Sequence, residues 1–167
     1  MFSGTTKKQL AVASLIAATI VAMSVTAIAI ARAASSDRDV QGGFTGGPPF
    51  GGPDCPSPIN LCATATFTGA IHGPAIAVVT SLTPTTETGV AVGVANIVIH
   101  DPRGDVRCTE SIVLNVSPAG DAEEGWICEI TGGTGHFANV SGHMEAFGSA
   151  AGGGDLRGKY GGRLTFP

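Results

Sequence analysis

Downstream of Cys62 the chain is broken by turn chemistry at short, nearly regular intervals, and nothing between the turns has a helical period. The breaks are His72-Gly73, TPTTETG at 83–89, DPRGD at 101–105, SPAGD at 117–121 and AGGGD at 151–155. Gly, Pro, Asp and Ser each favour the backbone angles that reverse a chain. Between them Thr, Val, Ile and Gly dominate, in ATATFTGA, GPAIAVVTS, TGVAVGVANIVIH, DVRCTESIVLNV, EGWICEIT, GHFANV, GHMEAFGSA and LRGKYGGRLTF. This rhythm predicts seven or eight short antiparallel strands in an all-β sandwich or barrel.

Strand side chains alternate between two faces, so the pattern assigns sides. In DVRCTESIVLNV the inward set is Val106, Cys108, Glu110, Ile112, Leu114 and Val116. In EGWICEIT, Trp126, Cys128 and Ile130 share a face, with Glu124 at its start, beyond the expected end of the sheet. In VAVGVANIVIHD one face holds Val90, Val92, Val94, Asn96, Val98 and His100; the other holds Ala91, Gly93, Ala95, Ile97 and Ile99. That strand is apolar on both sides, so its outer side suits cover by a neighbour.

Residues 1–33 read as an address. Lys7 and Lys8 precede an apolar run from Leu10 to Ile30, and Ala31-Arg32-Ala33 supplies a small-residue cleavage pattern. The expectation is an N-terminal apolar signal helix cleaved after Ala33 or Ala34. The run is longer than the ~7–15 residues of an ordinary signal core, so an uncleaved anchor is the alternative. Either way the remainder is extracytoplasmic or secreted, with the membrane met only through this segment.

Residues 34–54, rich in Gly and Pro, read as a linker. One domain then remains, over 55–167, enough for one core. The full chain has nine Lys and Arg against thirteen Asp and Glu. Lys7, Lys8 and Arg32 leave with the leader, so six basic residues face thirteen acidic ones, a net charge of −7. Such a surface repels a phosphate backbone, which excludes nucleic acid as a partner.

Cys55, Cys62, Cys108 and Cys128 all lie in the exported part. An even count there predicts two disulfides. With no C-x-x-C and no His spaced with Cys as zinc requires, neither a metal nor a cofactor is expected. Cys55 and Cys62 are near neighbours. Cys108 and Cys128, if directly opposed, place their turn at residue 118, inside SPAGD, and both fall on the inward face. Directly opposed Cβ atoms lie ~4.5–5.5 Å apart and a disulfide needs ~3.5–4.5 Å, so a small register adjustment or bulge suffices. The predicted pairs are Cys55–Cys62 and Cys108–Cys128.

The stretch ITGGTGHFANVSG, 130–142, tests a different idea. A dinucleotide loop needs G-x-G-x-x-G between strand and helix, but Ala138 stands where the third Gly belongs and no helical period follows. A Walker loop lacks its G-K-[ST]. The stretch therefore reads as a turn, a short strand entered through Phe137, and a bend near Gly142. Gly132, Gly133, Thr134, Gly135, Phe137 and Gly142 together resemble the signature of the allene oxide cyclase–dirigent barrel superfamily, and GKYGGRLTFP is similar to that family's last strand. Val140-Ser141 departs from the family's usual residues before the second glycine. The resemblance covers about the final 45 residues and implies an eight-stranded antiparallel barrel, often a homo-oligomer. It also implies either cyclisation chemistry or the steering of a coupling reaction that another protein oxidises.

Four residues are candidates for a site. Glu110 lies on an apolar face, where an unpaired carboxylate is costly and its pKa rises. It is the candidate general acid/base, unless Arg107, Arg157 or Arg163 pairs with it or it sits at a barrel mouth. Asn96, Trp126 and Tyr160 are candidate ligand contacts; each is equally readable as a satisfied amide, a core aromatic or an edge residue. The four His adjoin bends, and no G-x-S-x-G supports a hydrolase. Asn115-Val116-Ser117 and Asn139-Val140-Ser141 match glycosylation sequons, relevant in a eukaryotic secretory route. The functional expectation is an exported barrel that binds a small apolar molecule or another surface without catalysis. The alternative is an isomerase or cyclase of the allene oxide cyclase type, or a dirigent-like steering protein. An open lumen separates chemistry from a filled, structural barrel.

Overall fold

The computed structural model describes residues 35–167. The apolar leader and its cleavage site lie outside the described residues. Eight strands follow in order: β1 (Ser36–Gly46), β2 (Cys62–Gly69), β3 (Gly73–Pro84), β4 (Val90–Asp101), β5 (Gly104–Val116), β6 (Ala122–Gly133), β7 (Ser141–Ala150) and β8 (Leu156–Phe166). Each pairs antiparallel with the next, and β8 pairs back onto β1, closing the barrel. Every strand thus has a neighbour on both sides, although β1 meets β2 only from Gly42 to Gly46.

Two sequence expectations are corrected here. Residues 36–46 were expected in a linker, yet they form β1, paired with β8 from Ser36↔Phe166 to Gly46↔Leu156. The glycines that make this segment look like a linker allow close approach instead. A Cβ on Gly42 would collide with the Thr68 carbonyl and the Tyr160 hydroxyl. Val40 and Phe44, two residues to either side, face the core. The rest of the expected linker is the long β1–β2 connection, tied down by the Phe50–Cys62 backbone pair and by Cys55–Cys62. Second, GHFANV was expected to be a strand. It is instead a single 3-10 turn at Gly135–Phe137 with a bend after it. Gly135 has φ +55°, and a Cβ there would strike the Arg103 carbonyl, so this close corner requires glycine.

Both disulfides form as expected, Cys55–Cys62 and Cys108–Cys128, with Cα atoms 5.7 and 5.6 Å apart. The expected register was two residues out. Cys108 pairs with Ile130 and Cys128 with Glu110, so the bridge is diagonal, beside an irregularity at Arg107/Cys108. The right-handed twist of paired strands brings one diagonal closer than the other, which accommodates it.

The two barrel ends differ. At one end Ile71, Ile99, Val106, Phe137, Leu164 and Phe166 fill the lumen. Asp101 braces the same end. It accepts the Arg103 Nε–H at 2.8 Å, the Arg103 amide at 2.9 Å and the His72 amide at 3.0 Å. The opposite end is framed by the β1–β2, β3–β4, β5–β6 and β7–β8 connections. Six of the residues that line its cavity are alanines, Ala63, Ala65, Ala75, Ala77, Ala122 and Ala150, with Leu114, Val116 and Leu156 among the larger ones. Large side chains below and alanines above leave a lumen that is half core and half cavity.

Candidate functional site

The cavity holds about 310 Å³ and opens at the alanine-lined end. Its floor is aromatic. The Phe44 ring lies 5.9 Å from both Phe67 and Trp126, and Phe67 lies 5.5 Å from Tyr160. Offset and tilted packing at these distances makes a rigid apolar base.

Glu110 projects into this space from β5. Its inward direction follows from alternation with Cys108 and Ile112, and its height is fixed because it pairs with Cys128, a half of the bridge that staples β5 to β6. The residue is 3% exposed. Its pKa is pushed up to about 8, first by burial and then by the charge of Glu124; neither a hydrogen bond nor a cation offsets this. Among the described residues every side-chain oxygen or nitrogen sealed from open space has a hydrogen-bond partner. The carboxyl of Glu110 has none, so it is turned to the cavity it lines. Arg107, Arg157 and Arg163, the cations that alternation offered as partners, do not line that cavity. Arg163 instead meets Asp39 at 3.0 Å.

Glu124 was expected beyond the sheet end. It lies within β6, opposite Leu114, and lines the same cavity. Burial raises its pKa. The signal was present in the sequence: Glu124, Trp126 and Cys128 alternate, and the face simply begins one step earlier.

Trp126 is buried and lines the cavity beside both carboxyls. Asn96 is corrected. It is exposed on the outer wall, where the Thr109 hydroxyl donates to its Oδ1 at 3.1 Å. Both faces of β4 are apolar, so alternation could not choose between them. Register chose: Ala95 pairs with Glu110 and Ile97 with Cys108, which turns the small-residue face inward. Tyr160 does face the lumen, but below the cavity. Its hydroxyl donates to the Ile71 carbonyl and accepts the Ile71 amide, both at 2.8 Å. Its pKa is raised by burial. Of the four candidates, the structure brings together Glu110 and Trp126, adds Glu124, and sets Asn96 and Tyr160 apart. Among the described residues no group of three or more His, Cys, Asp or Glu is placed to hold a metal ion.

The outer wall carries a separate apolar strip. Val92, Val113, Gly125 and Phe147 are successive partners across β4 to β7, with Ile127 alongside. Val92, Val113, Ile127 and Phe147 are all exposed.

Comparison with protein-family models finds no match, and comparison with curated proteins finds none. Among solved structures, the pterocarpan synthase dirigent protein is similar at 12% identity, over 80% of this chain and 86% of that one, with a TM-score of 0.33. The barrel assignment rests on this chain's own strand order and register.

Proposed function

We propose that this chain is an exported barrel that takes a small, mainly apolar molecule into its open-ended lumen. The carrying observation is the alanine-walled, aromatic-floored cavity of about 310 Å³ with one unpartnered acid, Glu110, inside it. Ligand pockets run from ~300 Å³ upward and combine apolar walls with a few placed polar groups. Export is supported by the Leu10–Ile30 apolar run with its Ala31-Arg32-Ala33 pattern and by two disulfides, which persist in oxidising compartments. Cleavage after Ala33 or Ala34 leaves β1 whole, since it starts at Ser36. N-terminal sequencing should therefore find Ala34 or Ser35 first; an intact Met1 in the membrane fraction makes the segment an anchor.

Trp126 is the single tryptophan of the chain and lines the cavity, so it reports directly. Titration with small non-absorbing apolar compounds should change its emission saturably. No saturable change across neutral, cationic and anionic members of such a panel would remove the binding reading.

A second reading is favoured by Glu110 itself. A carboxyl whose pKa lies near neutrality is suited to give and take a proton within one reaction, as an isomerase or cyclase of the allene oxide cyclase type needs. Under that reading Glu110→Gln keeps the Trp126 response and abolishes turnover. A dirigent-like role, steering a coupling begun by a separate oxidase, predicts that Glu110→Gln alters product stereochemistry instead.

A further inference from the structure

Resting on the binding reading above, we infer that the ligand class is an apolar amine, bound as its ammonium form with the positive charge against Glu110 and the hydrocarbon body along the aromatic and alanine walls. The cavity carries a charge imbalance. Two carboxyls, Glu110 from β5 and Glu124 from β6, line one cavity, and no Lys, Arg or His lines it. From β1, β2, β3, β4, β7 and β8 no charged side chain lines it either. Tyr160 sits lower, with its hydroxyl held by Ile71, and Asp101 is matched by Arg103 at the closed end.

Glu110 is 3% exposed and has no hydrogen-bond partner in the protein, so its partner can be placed only from the cavity side. A neutral acceptor would bond only to the protonated carboxyl, which is uncharged, and would do nothing to offset the repulsion from Glu124 that opposes its ionisation. An ammonium supplies N–H donors to the carboxylate and relieves that repulsion as well. The surrounding surfaces suit the rest of such a molecule. Trp126, Phe44 and Phe67 present aromatic rings that attract a cation and pack against hydrocarbon. Glu124 lies four residues nearer the open end, roughly 13 Å along the strand, where it makes the approach negative. A bare divalent cation is a poorer complement, since calcium takes ~6–8 oxygen ligands and the walls here are carbon.

The sign of the pH dependence separates ligand classes. Without ligand Glu110 holds its proton up to about pH 8. An alkylammonium, whose pKa is close to that of Lys at about 10.4, stays charged well above that. Its binding expels the Glu110 proton, so affinity should climb with pH by as much as ~10-fold per unit and level off above about 8. A ligand that accepts a hydrogen bond from protonated Glu110 shows the opposite trend.

The test is a matched pair, 2-cyclohexylethylamine and 2-cyclohexylethanol, titrated against the disulfide-intact protein by Trp126 emission and calorimetry from about pH 6 to about pH 9. The expected result is amine affinity at least ~10-fold above that of the alcohol, rising with pH. Glu110→Gln should bring the ratio of amine to alcohol affinity close to one and remove its pH slope. Glu124→Gln, the second variant, should lower amine affinity less and keep the slope. Equal or better binding of the alcohol overturns the amine inference and leaves the cavity reading standing. Binding of neither compound also overturns the amine inference, while the cavity reading falls only if the wider panel of apolar compounds fails as well.

Discussion

Two buried carboxyls in this barrel carry opposite electrostatic states, and each has a consequence for pH. Glu110 has its pKa raised to about 8 by burial, then by Glu124. Its unfolded counterpart ionises near 4.3. Between those values the unfolded chain has released a proton that the native state retains, so stability falls as pH rises, by up to about 1.4 kcal/mol per unit. Asp101 is held well below the usual carboxylate range, chiefly by hydrogen bonds from Arg103. Its contribution is complete above the unfolded pKa and is lost as pH drops below about 4. From these two groups, urea midpoints should therefore peak at about pH 4 and decline toward neutrality. Glu110→Gln should flatten the alkaline limb; an unchanged limb would mean that Glu110 is not buried in its neutral form. Arg103→Ala removes the half-exposed cation of Asp101 but leaves its bonds from the His72 and Arg103 amides, so it should cost about 1 kcal/mol at neutral pH, read from the same midpoints. At this scale the sequence was a good guide where one face was apolar and the other polar, as around Glu110. It could not place Asn96, because β4 offers two apolar faces. Nor could it find the Tyr160 partner, because Ile71 lies in a bend 89 residues away in sequence.

Among the elements, β1 is the instructive case. SDRDVQGGFTG contains just two large apolar residues on one face, Val40 and Phe44, set among glycines that resemble a linker. Nothing local distinguishes a glycine needed for close packing from one needed for flexibility; the collision that a Gly42 Cβ would make with Thr68 and Tyr160 exists only once the barrel is closed. Seven of the eight strands were legible because turn residues and alternation coincide there. Phe137 misled by apolarity: it is buried, but from a single turn plugging the closed end. Deleting residues 36–46 should leave β2 and β8 with open edges, and the product should be aggregated or unfolded by circular dichroism and size exclusion. The cystines bear on strand pairing too. Non-reducing peptide maps should link Cys55 with Cys62 and Cys108 with Cys128. Replacing Cys108 and Cys128 together by Ser should lower stability by about 3 kcal/mol in the chain-entropy account, less if the β5–β6 hairpin persists in the unfolded chain.

For the molecule as a whole, the proposed function rests on an uneven distribution of side-chain volume along the lumen. Large residues seal one end, and alanines hold the other open around two carboxyls. Filling the open half should separate binding from folding. Ala65→Leu places a larger side chain into existing space, so it should abolish the Trp126 response to ligand while the thermal midpoint stays within a few degrees of the parent. Glu110 sits in that open lumen without a hydrogen-bond partner from the protein. Its ionisation, followed by carboxyl ¹³C NMR on Glu-labelled protein and assigned with Glu110→Gln, tests this most directly. A titration centred at about 8 is the predicted result; a midpoint near the ordinary glutamate value of about 4.3 would contradict it.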